Sequence, residues 1–473
     1  MTERKHYHLI GIGGISMSGI ARVLHLQGQM VTGSDLQETG LLNDLQEEGI
    51  TIYYGHREEN VVQAGLPDEV IISSAIPDDN CELAAACRLN IPISKRAEVI
   101  SRWMNKQRGI AVAGTHGKTT TTAMVASILA GGGLDPSIML GGIYPPLGGN
   151  CRLGQGDFFL SEADESDGSF LFMEPEFMVI NNIEQDHMEF FQSEKRLYAI
   201  FAQFIYKLKD GGILFLNGDD PGIKKMMQAA GINSPEIITY GPGKKNDFYY
   251  IPVDYEGRGI KAEIYRKGQL LGELKLAIPG EHNLANALAA IAIGNSIGVP
   301  FPVMAETLAE FQGVERRFHI HANKSGITIV DDYGHHPTEI KATLKAARRN
   351  GAETIITVFQ PHRYTRVQFL FQDFLDAFSE SDEVIVTDIY PAGEKPIPGI
   401  SGRRLAGSLH HDEVRYLPDF KEIEDYLWAK LKPGDLVITM GAGDVWKIGK
   451  SMAVKLLEMP QTFGLEAKTG VRS

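Results

Sequence analysis

Cysteine is scarce in this 473-residue chain: three residues, Cys81, Cys87 and Cys151, with no Cys-x-x-Cys pair among them. That is too few for a disulfide scaffold, and the three read as reduced packing thiols of a cytoplasmic protein. No apolar run reaches the length of a membrane span, and the opening Met1-Thr2-Glu3-Arg4-Lys5-His6 has no signal-peptide core, so no membrane insertion is expected. Positive charge is in deficit, 46 Lys and Arg against 60 Asp and Glu, a net charge of −14. This argues against nucleic-acid binding, although a local cationic pocket for an anionic substrate remains compatible with it. Internal repeats and low-complexity stretches are missing, and no Ser/His/Asp set has nucleophile-elbow spacing.

What is present is a globular composition, 43% hydrophobic, in a chain too long for a single core. The pattern of strands alternating with helices predicts an α/β fold in three domains. The expected boundaries are 1–108, 109–313 and 314–473, with a polar, aperiodic tail from about 458. The first part opens as a βαβ unit: Tyr7 to Ile10, a Gly11-Ile12-Gly13-Gly14 turn, an amphipathic stretch with Ile20, Val23 and Leu24, then Met30 to Gly33. A dinucleotide fingerprint would need glycine at position 16, which is Ser16. The glycine turn still suits a phosphate-bearing ligand, so a nucleotide other than NAD is the stronger reading.

The second part holds the most informative motif. Strand-like Gly109 to Ala113 runs into Gly114, Thr115, His116, Gly117, Lys118, Thr119 and Thr120, followed by a helix-compatible run from Thr121 to Ala130. Strand, glycine loop, Lys-Thr and helix is the construction of a phosphate cradle, in which backbone N–H groups and a helix N-terminus face the anion. Lys118 can reach the terminal phosphates of a nucleotide and Thr119 can offer its hydroxyl to Mg²⁺. The general P-loop pattern asks for glycine at position 112, which is Val112, so the motif points to a narrower family.

Two further apolar strands stop at charged clusters. Phe158 to Leu160 stops at Ser161-Glu162-Ala163-Asp164-Glu165-Ser166-Asp167, and Phe177 to Ile180 at Asn181-Asn182-Ile183-Glu184-Gln185-Asp186-His187. Ligands of open α/β sheets lie beyond the carboxyl ends of strands, which brings both clusters toward Lys118. Glu162 and Thr119 are the candidate Mg²⁺ ligands on chemistry alone, since hard cations take oxygen; a solvated acidic loop is the competing reading for Glu162. His187 is a less usual neighbour of Mg²⁺; its strand-end position puts it in the same place, but by itself it reads first as a cap or core histidine. In the third part, Asp332 closes a strand where a carboxylate can accept from a ribose hydroxyl. Arg316 and Arg317 precede it, and Arg363 and Arg366 follow another strand, as fork-shaped partners for phosphate or carboxylate or as surface ion pairs.

Taken together, the motifs Gly114 to Thr122, Glu162 to Asp167, Asn182 to His187 and Gly280-Glu281-His282-Asn283-Leu284-Ala285-Asn286 resemble those of the Mur ligases, ATP-dependent amide-bond-forming enzymes of bacterial peptidoglycan synthesis. Gly11 to Gly19, Asp331 to Glu339 and Phe359 to Arg366 are most similar to the branch that joins L-alanine to UDP-N-acetylmuramate. The resemblance implies a Rossmann-like N-terminal domain for the UDP-sugar, a central P-loop ATPase-type domain and a Rossmann-like C-terminal domain. It implies ATP and Mg²⁺ as cofactors and an acyl phosphate on the sugar's lactyl carboxylate, which the amine of L-alanine attacks. By the same resemblance Gly13, Gly14, Ile15, Ser16 and Ser74 would hold the UDP part, and Asn283 and Asn286 the adenine. Arg317 and Asp332 would meet phosphate and ribose, and His187 would join Thr119 and Glu162 at the metal. Arg363 and Arg366 would meet substrate carboxylates, with His335 near the reacting groups. The expected assembly is a monomer or weak homodimer.

Several sister ligases carry a carbamylated lysine downstream of the central His. Here that region reads Ala202-Gln203, with Lys195 and Lys207 nearest, so no lysine carbamate is expected. The nearest rival is the recycling ligase that attaches a preformed peptide to the same sugar, against which Asp331 to Glu339 and Phe359 to Arg366 speak. A dinucleotide-dependent dehydrogenase is the rival from another class, and Ser16 counts against it.

Overall fold

A computed structural model describes residues 4–73, 75–232, 235–255, 259–349 and 351–459. The chain divides into two compact units. One comprises Met1–Glu184, Lys195–Phe248 and Leu288–Met304; the other comprises Gln185–Glu194, Tyr249–Ala287 and Ala305–Ser473. No helix of the described residues is long and apolar enough to cross a membrane.

The first unit contains an all-parallel sheet in the order Thr51–Tyr54, Met30–Asp35, His6–Ile10, Glu69–Ile72, Ile93–Lys95. Strand order reverses at His6–Ile10, and the Gly11–Gly14 turn lies directly beyond that strand, the position where α/β sheets bind ligands. The same unit holds a second run of strands: Glu236–Gly241, Ile213–Asn217, Phe177–Ile180, Arg108–Ala113, Phe158–Glu162 and Ser137–Tyr144, parallel throughout, with Gly149–Arg152 added antiparallel. Arg108–Ala113 is again the reversal point, flanked by Phe158–Glu162 and Phe177–Ile180. Its residues Ile110 to Ala113, like Phe177 to Ile180, are buried throughout, as parallel strands covered on both faces must be. Helix Lys118–Gly131 follows with ten buried residues spread all round its circumference.

In the second unit a six-stranded sheet runs His319–Lys324, Ile327–Asp332, Asp435–Met440, Thr354–Phe359, Glu383–Val386, Val414–Tyr416, parallel except for its first strand. Helix Pro337–Arg349 begins with proline, whose missing N–H is unneeded there, and turns Ile340, Leu344 and Ala347 inward. Ile260–Arg266 and Gln269–Leu276 pair antiparallel as a hairpin.

Several element ends differ from the sequence expectation. The helix after the phosphate loop starts at Lys118, not Thr121, because four consecutive threonines of low intrinsic propensity are buried in its first turns. Strand Phe158–Glu162 extends through the acidic residue beyond Leu160, since Glu162 keeps ladder pairing with Val112, whereas strand Ile327–Asp332 closes at Asp332. The helix carrying Asn283 begins at Glu281, just after Gly280 at φ +98°.

Candidate functional site

Gly114 leaves strand Arg108–Ala113 at φ +128°, and a Cβ there would stand 3.0 Å from the backbone nitrogen of Asn181 and 3.1 Å from that of Asn182. Glycine is required by both the backbone angle and the closeness of the neighbouring chain. Asn182 fastens the loop: its carbonyl accepts from Thr115 N–H at 3.1 Å and its side-chain oxygen from His116 N–H at 2.7 Å. Thr115 and Glu184 also exchange hydrogen bonds through the Thr115 hydroxyl, 2.9 and 3.3 Å. Gly117, at φ +79°, then caps the helix without any side-chain bond to its first N–H groups. Those orphan donors and the positive helix end are a ready site for an anion.

Lys118 folds back over this loop. Its Nζ donates to the carbonyls of Gly114 (2.6 Å) and Thr115 (3.2 Å) and to the Glu165 carboxylate (2.9 Å). Burial opposes the charge, yet Glu165 and Asp164 outweigh it and hold the ammonium above its usual range. One residue on, Thr119 Oγ1 donates to Glu162 Oε2 at 3.0 Å, and the other Glu162 oxygen accepts from Gly141 N–H. A hydroxyl and a carboxylate at the lip of an uncapped helix fit a hard cation beside a polyphosphate. Thr120 is buried within the helix. Gly114 through Thr120 and Glu162 are thus brought together as the sequence implied.

The sugar-nucleotide candidates lie beyond the first sheet. Gly13 N–H donates to Asp35 Oδ2 (2.9 Å), Gly14 closes a turn onto Gly11, and Ile15 starts helix Ile15–Leu26, whose N-terminus has no side-chain cap and no acidic residue in its first turn. Ser16 Oγ accepts from Arg96 at 3.3 Å. Ser74 lies outside the described residues.

The second unit gathers a different set. Asn283 donates to the Pro279 carbonyl (2.6 Å) and accepts from Asn286 (3.1 Å), both side chains buried. Asp332 accepts from Phe318 N–H and Gly334 N–H, each 2.8 Å, and burial pushes its carboxyl up to about 6 against the pull of Arg317. Arg317 stacks over Tyr333, 4.9 Å from the ring centre, and faces Glu339. Arg316 lies over the same ring, also at 4.9 Å, and donates to Asp331 and to the Gly441 carbonyl.

Arg366 is 6% exposed and forks onto Asp186, Nε to Oδ1 at 2.9 Å and Nη2 to Oδ2 at 3.1 Å. Burial works against the Asp186 charge, but the Arg366 guanidinium first of all overcomes it and holds the carboxyl well below its usual range. His335 stands 3.9 Å from the same carboxylate; burial and Arg366 push its imidazole down to about 3, so it is neutral at pH 7. Arg363, at φ +66°, donates to Glu189 at 2.9 Å, and His187, also at positive φ, faces both Asp186 and Glu189. His187, His335, Arg363 and Arg366 therefore share one neighbourhood. Its anchor Asp186, the Lys118 partner Glu165 and the Ser16 partner Arg96 are residues that motif reading passed over. Asp186 and Glu165 stand inside quoted motifs, but no spacing rule joins a carboxylate to an arginine 180 positions away.

Three family models match the chain in succession: "Mur ligase family, catalytic domain" over residues 6–108, "Mur ligase middle domain" over 112–294 and "Mur ligase, glutamate ligase domain" over 316–443. Among curated relatives, the UDP-N-acetylmuramate–L-alanine ligase of Pelotomaculum thermopropionicum is 43% identical over 97% of this chain and 99% of its own length. The ligase of the same name from Geobacter sp. strain M21 is 45% identical over 95% and 97%. Among solved structures, UDP-N-acetylmuramate-alanine ligase MurC from Thermotoga maritima superposes with a TM-score of 0.81 at 31% identity, covering 96% of this chain and 99% of that one. With the loop geometry, the order of the three matched models and identity along nearly the whole length in agreement, the chain belongs to the Mur ligase family.

Proposed function

We propose that this chain is an ATP-dependent ligase that joins the amine of L-alanine to the lactyl carboxylate of UDP-N-acetylmuramate, releasing ADP and phosphate. The observation that carries the reading is the pairing of Lys118 with Glu165 and of Thr119 with Glu162 around one glycine loop. The activities named for relatives 43% and 45% identical over nearly the whole length supply the substrates. ATP furnishes the phosphoryl group that activates the sugar carboxylate as an acyl phosphate, and a Mg²⁺ ion, when bound, would supply charge screening at the phosphates.

The residues of the chain do the rest. A carboxylate approaching a polyphosphate is repelled, so cations must be fixed in advance where charge develops. Lys118 is such a cation, already desolvated and aimed by two carbonyls and a carboxylate. Thr119 and Glu162 would hold Mg²⁺, with His187 proposed as a further ligand. Gly13 to Ser16 would hold the UDP part, Asn283 and Asn286 the adenine, and Arg317 and Asp332 the phosphate and ribose. Arg363 and Arg366 would take substrate carboxylates. His335, kept neutral by burial and by Arg366, would lie near the reacting groups as a hydrogen-bonding side chain. We propose the domain limits 1–108, 109–313 and 314–473 for these roles.

The test is phosphate release with each substrate omitted in turn. Release requires UDP-N-acetylmuramate, ATP and L-alanine together, and Lys118→Ala lowers it by at least about a thousandfold while UDP-sugar binding persists. Faster release with a tripeptide than with L-alanine, or undiminished release in Lys118→Ala, would overturn the reading.

A further inference from the structure

Arg96 belongs to no motif, yet it joins the glycine turn of the first sheet to the acidic cluster after strand Phe158–Glu162. It is the first residue of helix Arg96–Lys106. A cation at that position opposes the helix dipole and is locally unfavourable. Its guanidinium reaches away from its own helix to the start of another: Nη1 donates to Ser16 Oγ at 3.3 Å and Nη2 to Asp164 Oδ2 at 3.2 Å. The helix it reaches, Ile15–Leu26, has an uncapped N-terminus and no acidic residue in its first turn. A guanidinium and a positive helix end thus face the same spot, and the Asp164 carboxylate is set against them. Asp164 also lies in the field of Lys118, so it has a second cation to turn to. The Arg96 side chain is 20% exposed and that of Asp164 41%, which leaves the pair open to an incoming anion. A partly exposed ion pair is screened by water, so an incoming anion can take the carboxylate's place. A residue that breaks a local rule without a packing reason marks a functional position.

We propose that Arg96 is the diphosphate-binding cation of the sugar-nucleotide site, and that Asp164 is its placeholder, holding the guanidinium beside Ser16 until a diphosphate displaces the carboxylate. This rests on reading Gly13 to Ser16 as the UDP-sugar loop. Diphosphate offers a planar fork two oxygens and more charge than one carboxylate, and the helix N-terminus adds to the attraction. Asp164 keeps the side chain in its working rotamer, which lowers the ordering cost on binding.

Calorimetric titration of the full chain with uridine, UMP and UDP tests this. In the wild type, affinity rises from uridine to UDP. Arg96→Ala weakens UDP by about tenfold or more, the size of a lost charge-assisted bond, while uridine affinity stays within about twofold. Arg96→Lys recovers part of the loss, and Asp164→Asn binds UDP at least as tightly as the wild type. In turnover, Arg96→Ala raises KM for the UDP-sugar and leaves KM for ATP in place, which a merely structural role would not do. Equal UDP affinity in wild type and Arg96→Ala overturns the proposal, as does a parallel loss of uridine and UDP binding. A wild type that binds no uridine nucleotide at all overturns the reading of the loop itself.

Discussion

Asp332 is a carboxylate placed where its charge is disfavoured, and that has a measurable signature. Two backbone N–H groups and the nearby Arg317 favour the ionised form, but burial wins and raises the group from 3.8 to about 6. Between those values the folded chain holds a proton that the unfolded chain has lost. The unfolded state binds fewer protons, so this group's contribution to stability is intact below about pH 4 and is lost as pH rises to about 6. Asn at this position cannot titrate. The stability difference between Asp332→Asn and the wild type, from urea unfolding at several pH values, therefore moves in favour of the variant across that window and is level above it. A difference that does not change with pH would show that Asp332 is not held neutral. A strand end that keeps a costly carboxylate when asparagine could accept similar bonds is the kind of position where function outweighs stability.

At the scale of elements, the strand–loop–helix around Gly114 to Thr120 shows what a sequence does and does not disclose. Its core was readable because the chemistry is local: a buried strand, glycines where the backbone needs them, and Lys-Thr at a helix start. Gly114→Ala tests that local logic. The new methyl would meet Asn181 and Asn182 backbone at a φ that L-residues avoid, so the loop must shift. Phosphate release falls by about tenfold or more, as expected when phosphate-facing donors are misplaced. Gly133, beyond the other end of the same helix, also has positive φ (+75°) but open space around it. Gly133→Ala costs about 1–2 kcal/mol of stability and leaves release intact. Equal activity loss in both variants would mean that backbone strain, not the phosphate cradle, is being read. The neighbouring elements were less legible. Glu162 reads as loop because a charged side chain resembles one, whereas ladder pairing with Val112 carries the strand through it. Asp186 stands beside His187 in the Asn182 to His187 motif, yet it is Asp186 that accepts the two-pronged bond from Arg366. Arg96 left no trace at all, since one arginine at a helix start has no pattern to betray it.

For the whole molecule, the grouping of residues makes ligand effects separable. Gly13 to Ser16, Arg96, Lys118 and Glu162 fall in the first unit, whereas Asn283, Arg317, Asp332 and Arg366 fall in the second. A chain of this size need not unfold in one step, so a single midpoint would mix the responses of its parts. Hydrogen exchange with peptide resolution separates them, because each amide reports the stability of the segment that must open. A ligand bound only to the folded form stabilises it by about 2.7 kcal/mol at a hundred times its dissociation constant. UDP at that concentration slows exchange at the amides from Gly11 to Ser18 and in strands His6–Ile10 and Met30–Asp35 that support them. Strand Ile327–Asp332 and its neighbour Asp435–Met440 keep their unliganded rates. If protection appears on Ile327–Asp332 and the Gly11 to Ser18 amides stay unchanged, the sugar nucleotide is bound elsewhere. The first sheet would then have to be read as scaffold, its reversal point and uncapped helix without a ligand to explain them.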